Sequence, residues 1–140
     1  MSKPRTCRVV RSARSYRGKQ GLDYGEAISK ETVGSEGICM LLLTIPPGSR
    51  AKAHMHENHE TAIYVLHGKS AMWYGENLNQ HMEVEAGDFV FIPAGTPHLP
   101  YNPNDSEPCT AIIARTDPNE QESVVLLPDL DDIWNRNELD

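Results

Sequence analysis

Cysteine and aromatic residues are scarce in this 140-residue chain, and it has no long apolar run. Cys7, Cys39 and Cys109 are odd in number and widely spaced, with no C-x-x-C pair. A disulfide framework is therefore not needed for stability, and a reducing, cytoplasmic setting is expected rather than a secreted one. Each thiol is expected to pack as a small apolar group. The longest apolar stretch, residues 38–43 with Ile45 beyond Thr44, is far shorter than the roughly 18 residues of a membrane helix. It reads as a strand, and no membrane partner is expected. The basic N-terminus is followed by no apolar segment, so export is not expected either.

A net charge of −7 is unevenly spread. Residues 1–19 carry Lys3, Arg5, Arg8, Arg11, Arg14, Arg17 and Lys19 without an acid, whereas residues 117–140 carry eight acids against Arg136. A basic arm can bind nucleic acid. Here Tyr16 is its single stacking aromatic and the rest of the chain repels phosphate, so no nucleic-acid partner is expected. The two oppositely charged ends are expected to lie close together, within a subunit or across a dimer.

What the chain does have is turn punctuation: ten glycines and ten prolines divide short β-branched and aromatic segments. Residues 1–34 read as an extended arm with one or two short strands, 35–116 as the core and 117–140 as an acidic tail, all within one domain. Strands are expected over 37–45 (apolar on both faces), 51–56, 61–66, 70–74, 80–84, 89–92 (buried) and 110–114. The segment 75–79 should turn a hairpin. Only 130–139 looks weakly helical, and Trp134 would pack on the outside. Many short strands at about ten-residue spacing indicate an all-β antiparallel barrel.

His54, His56, Glu60 and His98 stand out. On a strand, residues two apart project to one face with backbones roughly 7 Å apart, so His54 and His56 converge. On a helix they would diverge, and His56-Glu57-Asn58-His59-Glu60 lacks the i, i+4 histidine pair of H-E-x-x-H peptidases. His59 and Glu57 are alternatives to Glu60 if the register slips. By the same parity Tyr64 shares the face of Glu60 and is a candidate proton donor, or else a core tyrosine. Arg115 is a candidate carboxylate clamp, or else a partner of the acidic tail.

Gly48, His54, His56 and Glu60 fit G-x5-H-x-H-x3-E, and Gly87, Pro93, Gly95, His98 and Asn102 fit G-x5-P-x-G-x2-H-x3-N. Together they resemble the two motifs of the cupin superfamily over roughly residues 35–116. There is one departure: Gly68 follows Glu60 after seven residues rather than the usual six, which is expected to shift a turn and leave the ligands untouched. The resemblance implies a jelly-roll barrel holding one divalent metal ion per subunit on His54, His56, Glu60 and His98. Ligand type does not choose among Mn, Fe, Ni, Co and Zn.

Such a centre suits an enzyme acting on a small oxygen-rich metabolite, as a dioxygenase or as an isomerase, cyclase or lyase, with Tyr64 and Arg115 as catalytic candidates. The alternative is a metal-dependent small-molecule binding or sensor module without turnover. A metal-free epimerase type is disfavoured by the full ligand set. The arm and the exposed sheet edges suggest a homo-oligomer, a dimer first.

Overall fold

The computed structural model describes residues 6–11, 14–121 and 123–132. Eleven strands follow in chain order: β1 Ser15–Arg17, β2 Asp23–Ile28, β3 Cys39–Ile45, β4 His54–His56, β5 Thr61–His67, β6 Lys69–Tyr74, β7 Gln80–Glu85, β8 Phe89–Ile92, β9 His98–Tyr101, β10 Cys109–Arg115 and β11 Val124–Leu126. They form two antiparallel sheets, ordered β1-β2-β3-β10-β5-β8 and β11-β4-β9-β6-β7. The expected all-β jelly-roll barrel, with an N-terminal arm and a short C-terminal helix, is thus present. A one-turn helix α1 spans Lys30–Val33, the C-terminal helical residues are 128–132, and Trp134 lies outside the described residues. No helix among the described residues is long and apolar enough to cross a membrane.

Side-chain alternation on the strands decides what lies inside. On β3, Cys39, Leu41, Leu43 and Ile45 are buried, while Met40 and Leu42 between them are exposed. The expectation that this strand is apolar on both faces holds for its composition, but only one face is covered. β8 departs further from its expected burial, because Phe89 is 82% and Phe91 60% exposed. The inward residues of β2, β3, β5 and β10 form the main core around Leu41, Leu43, Val65 and Ile113. Each such side chain contributes roughly 1.5–3 kcal/mol by leaving water. A second cluster of Ala53, Leu78 and Leu99 is covered by Trp73, Tyr101, Leu127 and Leu130, so the C-terminal segment closes over it.

The basic arm is part of the barrel. β1 pairs with β2, and β2 with β3 of the same chain. Its arginines meet acids on β2: Arg14 Nε lies 3.2 Å from Glu26, and Arg17 lies 3.2 Å from Asp23. The acidic end is tied elsewhere, with Asp131 accepting from Arg50 at 2.7 Å and from the Ala53 amide at 2.9 Å. Among the described residues, the two ends of the chain meet through hydrogen bonds: the Tyr16 hydroxyl donates to the Glu120 carbonyl at 3.0 Å and Gln121 Nε2 donates to the Arg17 carbonyl at 2.8 Å.

Candidate metal centre and its cavity

The second sheet brings three imidazoles together. His54 and His56 share the inner face of β4, and His54 stands directly opposite His98 on β9. Two backbone bonds hold this strand in place. Leu127 N–H donates to the Ala53 carbonyl at 2.9 Å, and Gly95 N–H donates to the His56 carbonyl at 2.8 Å. The second bond is the physical content of the P-x-G turn: it ties the loop that delivers His98 to the strand carrying the other two histidines. Ring centroids lie 4.2 Å apart for His54 and His98, and 5.1 Å apart for each pairing with His56. One ring nitrogen from each histidine falls within 4.8 Å of the other two, and all three residues are buried.

Their protonation follows from their surroundings. The Nδ1 of His54 lies 2.6 Å from the Lys52 carbonyl, and that of His98 lies 2.9 Å from the Thr96 carbonyl. A carbonyl can only accept, so Nδ1 carries the proton and Nε2 keeps its lone pair. Burial, then the neighbouring His98 and His56, holds His54 well below the ordinary 6.5. Burial, then the charges of His98 and Arg115, lowers His56 to about 2. An imidazole with an oriented lone pair and a carbonyl behind its other nitrogen, as at His54 and His98, is the form in which histidine binds a divalent ion, so the donor set fits one.

The carboxylate is placed otherwise. Glu60 is exposed on the outside of β5, and its amide donates to the Thr116 hydroxyl at 3.0 Å. Thr61, one residue on, points inward and is 3% exposed. The expectation that the extra residue before Gly68 leaves the ligands untouched is therefore corrected. A shift of one residue in a strand moves every side chain to the opposite face. The β5–β10 register shifts between His67↔Thr110 and Val65↔Ala111, so Leu66 is a bulged residue and the strand before it turns Val65, Ile63 and Thr61 inward. Gly68 has φ +82°, and a Cβ there would sit 2.5 Å from the Pro108 carbonyl oxygen, so the turn after β5 cannot slide. Counting back the usual six residues from Gly68 reaches Thr61, not Glu60.

Tyr64 is corrected on the same ground. It lies on the outward face with Glu60, its ring 4.6 Å from that of Phe89, and it does not line the cavity. His59, by contrast, is buried beside the cluster with its ring 4.7 Å from that of His56, and its Nδ1 lies 3.1 Å from the Ser123 hydroxyl. Glu57 is exposed.

Arg115 comes inward. It sits opposite Thr61 in the β10–β5 register and is 3% exposed. With Thr61 it lines, from the first sheet, the cavity that the histidines line from the second. Its guanidinium carbon lies 5.2 Å from the centroid of the Tyr24 ring, and Gln20 donates to the Tyr24 hydroxyl. Gln20 and Tyr24 line the cavity too, and neither was singled out by sequence. Gly18 packs against this pair, since a Cβ there would fall 2.5 Å from the Tyr24 ring. The cavity volume is about 60 Å³, and its remaining walls are largely aliphatic, including Met72, Met82, Val84 and Ile92. One water needs roughly 10–15 Å³ on this scale, so the space suits a ligand of a few heavy atoms. No aspartate or glutamate among the described residues lines it.

The Cupin domain family model matches residues 41–114 of the chain, more than half of it. A protein of Methanocaldococcus jannaschii is 37% identical over 54 residues, covering 39% of this chain and 41% of that one. The oxalate-binding protein of Thermotoga maritima is 26% identical over 90 residues, covering 64% of this chain and 72% of that protein. Among solved structures, the Bacillus subtilis oxalate decarboxylase studied for its Mn(II) centres superposes with a TM-score of 0.66 at 24% identity, covering 83% of this chain and 29% of that one. The chain thus spans about three-tenths of the decarboxylase and two-fifths of the archaeal relative.

Proposed function

This chain belongs to the cupin domain family, and on that premise we propose that His54, His56 and His98 hold one divalent metal ion beside which the cavity receives a small oxygen-rich anion. One observation carries the reading: three buried imidazoles and the Arg115 guanidinium converge on one small cavity. When bound, a divalent ion supplies Lewis acidity and, if redox-active, oxygen chemistry. The protein's own residues do the rest. The histidines bind the ion, Arg115 attracts and orients a carboxylate, and the aliphatic walls exclude water. The likeness to an oxalate-binding protein and to oxalate decarboxylases supports a small carboxylate as the ligand class.

We place turnover first, as metal-assisted chemistry on that anion, of dioxygenase or of isomerase or lyase type. A metal-dependent binding module is the second reading. It is favoured by the outward placement of Tyr64, which removes that hydroxyl as a proton donor at the cavity. Elemental analysis of untagged protein, followed by oxygen-uptake and product assays on a panel of small dicarboxylates, 2-oxo acids and ketoses, separates the two. Metal at one ion per chain with product supports the enzyme; one ion and a retained, unchanged ligand support the module. Protein that binds no divalent ion overturns both.

We also place the second copy of a homodimer on the outer face of the first sheet, where Leu42, Ile112, Tyr64 and Phe89 are register neighbours across four strands, as are Met40, Ala114, Ala62 and Phe91.

A further inference from the structure

We propose that the cavity selects a carboxylate carrying a short apolar tail, with the head at the histidines and the tail in an aliphatic throat that opens between β7 and β8. The inference rests on the metal and anion reading above and deepens it by naming the tail. The strand registers sort the cavity wall into tiers, two residues and about 7 Å apart along each strand. On the first sheet Thr61 stands beside Arg115, the next inward residue, Ile63, stands beside Ile113 and Val90, and the one after is Val65. On the second sheet His54 pairs with His98, the next tier pairs Met72 with Met82, and the one after pairs Ser70 with Val84. The histidine and Thr61 tiers face each other, since the Arg115 charge acts on both His54 and His56. Farther along, Ile63 and Val84 come from opposite sheets and pack on the same core.

Polar atoms able to hold a ligand are gathered at one end. There the Thr61 Oγ1 is buried without a hydrogen-bond partner. In the far tiers the Ser70 hydroxyl is committed to the Tyr101 carbonyl at 3.1 Å, and the side chains around it are apolar. Solvent reaches the cavity from that far end. Ile63, Met82, Val84 and Val90 are half-buried although they face inward, whereas Thr61, Arg115 and the three histidines are buried. β7 and β8 are the last strands of their two sheets, and among the described residues they pair with β6 and β5 and not with each other. A ligand that reaches the histidines through this seam leaves its outer end among apolar side chains. A second carboxylate there would lose water without gaining a partner. A methylene there gains about fourfold in affinity by leaving water. The cavity volume of about 60 Å³ keeps the tail short.

The test is calorimetric titration of the Co(II)-loaded full chain with pyruvate, 2-oxobutanoate, 2-oxopentanoate and oxalate. We expect affinity to rise about fourfold with each added methylene, so about tenfold or more from pyruvate to 2-oxopentanoate. The heat-capacity change of binding should become more negative along the same series. Val84→Thr is close in shape and puts a hydroxyl in the throat, so it should cut the ratio of 2-oxopentanoate to pyruvate affinity about threefold or more. Val90→Phe fills the throat and should remove the gain from the tail. If 2-oxopentanoate binds no more tightly than pyruvate while pyruvate or oxalate still binds, the tail is overturned and the metal and anion reading stands. A ratio unchanged from native in both variants overturns it too. A chain that takes up no Co(II), or a loaded chain that binds none of these acids, removes the underlying reading and this inference with it.

Discussion

At the scale of single residues, two features of the chain predict measurable consequences. His54 and His56 are held neutral by burial and then by the neighbouring His98, His56 down to about 2 from an ordinary 6.5. The unfolded chain takes up protons on these rings as pH falls through 6.5 and the folded chain does not, so stability present above that pH is lost below it. Each ring that stays neutral costs about 1.4 kcal/mol per pH unit below 6.5. Denaturant titrations of metal-free protein at pH 7.5, 6 and 5 should show this decline, and His56→Gln should flatten it. Equal slopes in the two proteins would contradict the neutral assignment. Gly68 is the second case. Its φ of +82° and the backbone oxygen of Pro108 at 2.5 Å leave no place for a methyl group. Gly68→Ala should lower stability by at least about 1–3 kcal/mol in thermal or denaturant unfolding.

At the scale of elements, the period-two pattern and the glycine and proline turns made most strands legible. β8 begins and ends at the expected residues 89 and 92, and the hairpin of β6 and β7 turns at 75–79 as expected. His54, His56 and His98 were legible because each stands on a short strand beside a turn that leaves one orientation. The inward face of β5 was not. Glu60 satisfied a typed motif while the spacing to Gly68 disagreed by one residue, and the bulge at Leu66 in the β5–β10 pairing reverses the parity between them. Burial on β8 was misjudged because Phe89 and Phe91 are apolar, yet nothing among the described residues covers the face they share. The role of the arm was also hidden, since its strands are ordered by pairing with β3 and not by their own sequence. That pairing places Tyr24 under the Arg115 guanidinium. Tyr24 is therefore a positioning residue. Tyr24→Leu removes the ring and should weaken oxalate binding to the Co(II)-loaded protein several-fold, since such contacts contribute about 0.5–2 kcal/mol. Co(II) affinity without oxalate should stay within twofold. Tyr24→Phe keeps the ring and should recover oxalate binding, which a merely space-filling role of the hydroxyl would not predict.

At the scale of the whole molecule, charge and apolar surface point the same way. The chain carries −7, so copies repel unless they meet on a face free of charge. The outer face of the first sheet is such a face: its two central rows run Leu42, Ile112, Tyr64, Phe89 and Met40, Ala114, Ala62, Phe91, with no ionisable acid or base among them. Four adjacent strands span about 14–15 Å at the usual sheet spacing, and exposed apolar patches of this kind mark association sites. A two-fold contact sets the same rows against each other, burying Phe89 and Phe91 of both copies without opposing like charges. A charged partner would gain nothing there. Phe91→Lys puts a like charge on both sides of that contact. Sedimentation velocity over a hundredfold concentration range should show a dimer for the native chain and a monomer for this variant. Because the metal cavity opens between the two sheets and not on this outer face, Co(II) binding should survive the substitution. A native chain that sediments as a monomer throughout, or a Phe91→Lys variant that remains a dimer, would place the second copy elsewhere or remove it.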